Sequence, residues 1–216
     1  MRRLLTASLA SACLALCSAQ ASADTLQLNS YTYGSDEISV HISGGNTPDF
    51  SYSGGAGEFQ GTLNGKAFNT YCLDLYQEFN WNTTYTDYAV TALPTQVSHD
   101  LGLLVTKYRS SVDSADTTAA FQLAAWEIMY ETPGTAYSLN SGAFTENGSS
   151  TAAHDLAQQW LGNLGTVSDV NVSLLASPDH QDFLVTAPVP EPSTYAMLVA
   201  GLGLLGWAGR RKKHAA

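Results

Sequence analysis

Two residues of this sequence, Cys72 and Gln122, are of types that can react with each other. A cysteine thiol and a glutamine carboxamide condense to a thioester with loss of ammonia, and the product lasts only where water is excluded while an amine can still enter. That chemistry needs a thiol on a rigid strand, a glutamine on a facing helix, and an apolar or aromatic enclosure. Candidates for all three are present. Asn69-Thr70-Tyr71-Cys72-Leu73-Asp74-Leu75 reads as extended chain and Phe121-Gln122-Leu123-Ala124-Ala125-Trp126-Glu127 as helix, while Tyr71, Tyr76, Phe79 and Trp81 crowd the thiol in sequence. Trp126, one turn after Gln122, shares its helix face. The plain alternative is that both residues only pack, since free cysteine is among the most buried residue types. Cys72 with His41, His99, His154 or His180 and an acid such as Asp74 would make a cysteine-hydrolase triad, a combination that any chain with several histidines offers. No histidine lies three or four residues from another and the acids follow no calcium-loop pattern, so neither a metal nor another cofactor is expected.

The remaining cysteines explain why Cys72 stands alone. Met1-Arg2-Arg3 is a basic start, Leu4 to Cys17 an apolar run, and Ala21-Ser22-Ala23 a small-residue exit, which together read as a Sec signal peptide over residues 1–23. The paired arginines alone are a weak twin-arginine signal, and Leu16 is too bulky for a lipoprotein site before Cys17. Cys13 and Cys17 leave with the peptide. An exported domain is then expected to hold one thiol without a disulfide partner, which is unusual in an oxidising compartment.

Residues 24–187 suffice for one domain with its own core. Lys66, Lys107 and Arg109 face eighteen acidic residues there. A phosphate-rich duplex demands cationic contacts, so nucleic acid is excluded as a partner. Residues 25 to 91 alternate as strands, with Ile38, Val40 and Ile42 on one face and Asn64-Gly65 as a hairpin turn. Cys72 is expected on the second strand of that hairpin, in line with Phe68 and Thr70 and opposite Tyr71, Leu73 and Leu75. Helical spacing predicts helices over 96–110, 116–131 with Ser114 or Asp113 as cap, and 151–164 with Gly165 as stop; strands return at 169–175 and 182–186. The expectation is an α+β class, a β-barrel or sandwich with a small inserted helical subdomain, plus a short C-terminal membrane helix.

That last helix belongs to a distinctive tail. Residues 188–194 hold Pro190-Glu191-Pro192 in a rigid spacer, 195–209 form an apolar, Gly-punctuated segment, and 210–216 begin with Arg210-Arg211-Lys212-Lys213. At ~1.5 Å per residue the apolar segment reaches little more than ~20 Å against a hydrocarbon layer of ~30 Å, so it would insert with local thinning and keep the basic stop cytoplasmic. This order of features closely resembles the PEP-CTERM sorting signal. The resemblance implies a Gram-negative envelope, transient anchoring in the inner membrane, recognition and cleavage by an exosortase, and a surface or extracellular-matrix destination, often beside exopolysaccharide in biofilm or floc. The same tail is catalogued as a C-terminal segment of ice-binding proteins, which says nothing about ice.

The residues around the thiol resemble a second family, the Cys-Gln thioester domain of bacterial surface adhesins. There a Tyr-Cys or Phe-Cys strand meets a Thr-Gln-x-Ala-(Ile/Val)-Trp helix. Tyr71-Cys72 matches the strand, and Gln122, Ala124 and Trp126 match the helix; Phe121 and Ala125 depart from it. The resemblance spans residues 66–131. It implies a Cys72-Gln122 cross-link enclosed by Tyr71, Ala124 and Trp126, and covalent capture of an amine on a surface molecule, with Cys72 as leaving group and Gln122 as acyl donor. On this reading the protein is an adhesion module rather than an enzyme. The competing expectations are a non-covalent matrix component and, more remotely, a cysteine hydrolase.

Overall fold

The computed structural model describes residues 23–44, 48–148 and 151–188. The signal-peptide exit at Ala21, the Pro190-Glu191-Pro192 motif, the apolar segment 195–209 and the basic stop at 210–213 lie outside the described residues, and Ala23 is the first residue within them. No helix among the described residues is long and apolar enough to cross a membrane.

The N-terminal half is strand-rich because its apolar residues alternate. β1 (Asp24–Tyr31), β2 (Asp36–Ile42), β3 (Phe50–Ala56), β4 (Phe59–Leu63), β5 (Lys66–Thr70) and β6 (Thr84–Thr91) precede the helices, and β7 (Phe144–Glu146), β8 (Val170–Ala176) and β9 (Phe183–Pro188) follow. In β2 the period-two pattern is followed closely, with Ile38, Val40 and Ile42 no more than 2% exposed. Asn64 and Gly65 take φ of 53° and 73°, the positive values a two-residue hairpin turn requires, and pair Leu63 with Lys66 across it.

Six strands form one sheet in the order β5-β4-β1-β6-β8-β9, and β3-β2-β7 form a second, smaller sheet. The two edges of the larger sheet approach each other. Beyond β5, Cys72 bridges Phe183 of β9. Leu184 N–H donates to Tyr71 O and Leu73 N–H to Asp182 O, both at 2.9 Å, and Thr70 Oγ1 donates to Leu184 O at 2.7 Å. The outcome is a nearly closed, barrel-like sheet with Cys72 on its seam. One strand crossing is tight: a Cβ at Gly61 would collide with Gln27 O and the Leu28 backbone of β1, where the β1–β4 register shifts. Gly61→Ala is therefore expected to destabilise the domain by on the order of 2–4 kcal/mol in urea titration, because backbone rather than a flexible side chain must give way.

The helices α1 (Thr95–Tyr108), α2 (Ala115–Tyr130) and α3 (Thr151–Leu161) lie in sequence between β6 and β8. Ser114 caps α2, and with Thr117 it completes a capping box. Every residue from Thr118 to Ile128 is buried, so α2 is a core helix on all sides. Several sequence expectations need adjustment here. The first helix yields to a 3-10 turn at Arg109–Ser111, and the third ends at Leu161, ahead of Leu164 and of Gly165 with its φ of 92°. Cys72 lies past the end of β5 rather than on it, and the expected alternation fails: Thr70, Tyr71, Cys72 and Leu73 are all at most 1% exposed. The reason is double coverage, by β9 on the seam and by α2.

One acid on α2 is out of keeping with its surroundings. Glu127 is fully buried; Ser138 N–H donates to its Oε1 at 2.6 Å, and Oε2 has no partner among the described residues. Burial pushes its carboxyl up to about 7, helped by Glu131 and opposed by the Ser138 N–H. Because the folded value lies above the unfolded one, the protein holds this proton more tightly when folded. The resulting stability is complete below about pH 4.5 and is lost as pH rises through about 7. Glu127→Gln is expected to raise stability by on the order of 2 kcal/mol at pH 8 and to change it little at pH 4, as read from denaturant midpoints at the two pH values.

Candidate functional site

Thr118, Gln122, Trp126 and Tyr130 recur every fourth residue and so line one face of α2. That face meets the seam segment after β5. Tyr71 Oη and Thr118 Oγ1 share a hydrogen bond of 3.3 Å. Cys72 N–H donates to Gln122 Oε1 at 3.0 Å, and Gln122 Nε2 donates back to Cys72 O at 2.7 Å. Leu75 N–H donates to Tyr130 Oη at 2.8 Å, and Tyr130 Oη–H donates to Leu73 O at 3.2 Å. A strand that cannot finish its ladder thus has its main-chain groups satisfied by a helix face.

The arrangement brings together the two reactive residues expected from sequence. Cys72 is 1% and Gln122 0% exposed. The Cys72 Sγ–H donates to Asp74 O at 3.0 Å. Burial pushes the thiol far above its ordinary value; the Trp126 indole counters this and the Asp74 carboxylate adds to it. The indole nevertheless makes no hydrogen bond of normal geometry, and Trp126 Nε1 is a buried donor without a partner among the described residues. The indole N–H thus favours a thiolate without being committed to the thiol. Asp74 and Asp182 are themselves raised, chiefly by burial, so local negative charge is disfavoured all round.

Phe121, the main departure from the thioester motif, is fully buried and stacks on Tyr71 with ring centroids 4.4 Å apart. Ala124 and Ala125 are fully buried beside it. Cys72, Gln122 and Trp126 all line one cavity of about 280 Å³, which also reaches the half-exposed Trp81. The four histidines of the hydrolase expectation are engaged elsewhere. His41 contacts Ser51, His99 contacts Asp100, His154 contacts Glu146, and His180 packs at a tilt against the Tyr85 ring. None has a hydrogen bond to Cys72 among the described residues.

Thr118 and Tyr130 were not singled out from sequence as site residues. The signal that finds them is the four-residue recurrence of hydrogen-bonding side chains along a helix rich in alanine and other apolar residues, since a buried polar group needs a partner.

Comparison with known proteins touches only the far end of the chain. The model for the PEP-CTERM protein-sorting motif matches residues 188–212. No curated protein and no solved structure matches the chain. The likeness around Cys72 and Gln122 to thioester domains therefore rests on the sequence motif alone. The chain carries a PEP-CTERM sorting signal at residues 188–212, and with it the mark of an exported, membrane-transiting protein that an exosortase processes and that is sorted to the cell surface.

Proposed function

We propose that the domain ahead of the sorting signal is a covalent adhesion module whose Cys72 thiol and Gln122 carboxamide condense to a thioester. The observation that carries this reading is the double hydrogen bond between the Gln122 carboxamide and the Cys72 main chain, 3.0 Å at Oε1 and 2.7 Å at Nε2. It holds the carboxamide against the main chain of the residue that carries the thiol. Attack of sulfur on the carboxamide carbon releases Nε2 as ammonia, with the thiol proton leaving on it, and Cys72 N–H faces the oxygen on which charge develops. An incoming amine reverses the logic. Its nitrogen bonds to the Gln122 carbon, the S–C bond breaks, and sulfur takes up the proton that the amine gives up. Trp126 Nε1–H is the uncommitted donor available to the departing sulfur.

The partner class is then a primary amine on a surface or matrix molecule, in keeping with an exosortase-sorted destination. Of the three expected enclosure residues, Trp126 lines the cavity with Cys72 and Gln122, whereas Tyr71 and Ala124 are buried outside that lining. A second reading is favoured by the same hydrogen bonds. They give both polar atoms of the Gln122 carboxamide a partner, so it can serve as a purely structural stitch in a non-covalent matrix protein, with exopolysaccharide as its neighbour. Intact mass separates the two: a cross-linked domain weighs one ammonia less than its sequence, and an uncross-linked one has full mass.

A further inference from the structure

The cavity above Cys72 and Gln122 has a composition that the bond itself does not require. Half of its lining residues are aromatic. Tyr31, Tyr52, Phe59, Phe79 and Trp81 contribute rings, and the lining has a single charged residue, the exposed Glu78. Lysine, arginine and histidine are absent from it.

The polar groups of this lining also have a sense. Tyr31 and Tyr52 Oη–H both donate to Gly55 O at 3.0 Å, which commits their protons. Gln77 Nε2 donates to Pro178 O at 3.0 Å, and Gln181 Nε2 donates to Asp74 O at 2.9 Å, which commits one N–H of each amide. Around the space there remain π faces, one carboxylate and the free groups of two glutamine amides, with the Trp126 indole as an unpartnered buried donor among the described residues. Ring quadrupoles attract cations, and most strongly over tryptophan. A domain with three cations against eighteen acids draws cations towards such a mouth and repels anions.

We propose that this cavity is a binding site for small alkylammonium cations, with Trp81 and its neighbouring rings as the cage and Glu78 as the counter-charge at the rim. Its volume of about 280 Å³ suits a compact cation head rather than a large ligand. The site selects, among amines, those carried as cations on an alkyl stem. That consequence for capture rests on the proposed thioester, whereas the binding of the cation does not.

Choline separates the two, because its quaternary nitrogen cannot acylate. Titration of the full domain with choline and with its uncharged isostere 3,3-dimethylbutan-1-ol, by calorimetry or saturation-transfer NMR, is expected to show choline bound about 3-fold to 30-fold more tightly. Glu78→Gln should weaken choline several-fold and leave the isostere unchanged. Trp81→Leu should weaken choline more than it weakens the isostere. Equal binding of choline and isostere, or no binding of choline, overturns the proposal. Choline binding by a domain of full intact mass upholds the cage and removes the thioester; a domain one ammonia light that ignores choline does the reverse.

Discussion

Methylamine added to the folded domain is expected to leave one adduct, on Gln122, and none after Cys72→Ala or Gln122→Ala. The untreated protein should weigh one ammonia less than its sequence, and either substitution should restore the full value. The effect is all or none because both atoms of the bond must be present, and their main-chain and side-chain partners are already 2.7 Å and 3.0 Å apart. A wild-type protein of full mass that yields one equivalent of thiol to iodoacetamide on unfolding would leave the non-covalent matrix reading. Trp126→Phe gives a graded outcome. On the proposed thioester, the ring remains and the bond is expected to form, but the departing sulfur loses its donor; a hydrogen bond to a charged group contributes about 1.5–3 kcal/mol, so amine capture should slow about 10-fold to 100-fold.

The largest expected loss of stability lies beside the site, at Arg109. Glu58 is fully buried, its Oε1 accepting from Arg109 Nη2 and its Oε2 from Asn69 Nδ2 at 3.2 Å. The Arg109 guanidinium also lies 5.8 Å from the centre of the Tyr71 ring. Arg109→Met would strand a buried carboxylate, which costs about 3–5 kcal/mol. Glu58→Gln added to it should recover most of that loss, since two neutral groups of similar size leave no unpaired charge. The reading fails if Arg109→Met lowers the urea midpoint no more than a typical surface substitution. Because Arg109 also meets Tyr71, the single variant should blur the register of Cys72 against α2 and reduce the fraction of cross-linked protein.

What could be read from sequence was whatever depends on near neighbours. Asn64-Gly65 specified its hairpin because only that turn reconciles two positive φ angles with flanking alternation. Ser114 specified the start of α2 through a bond to Thr117 three residues away. The pairing of Cys72 with Gln122 was legible because each chemistry-bearing type has a motif around it. The seam was not. Cys72 pairs with Phe183 across more than a hundred residues, and a bridge that distant leaves no periodicity at either end. It also hides all of Thr70 to Leu73, which is why counting by twos gave the wrong exposure there. β7 went unforeseen for a related reason: its three residues pair with β2 but are too few to establish a pattern of their own.

The strand that completes the barrel, β9, runs directly into the residues of the sorting signal. Val170 and Pro188 face each other at the open end of the β8–β9 hairpin. Tension drawn through residue 188 would therefore load that ladder as a zipper, one rung after another, instead of shearing all rungs together. The last rungs to part are those near Phe183, and Phe183 is what covers Cys72 from the far side. Wherever the chain beyond Pro188 is held, drag on the surface would thus reach the bridge between Phe183 and Cys72 only after the outer rungs of the hairpin had opened.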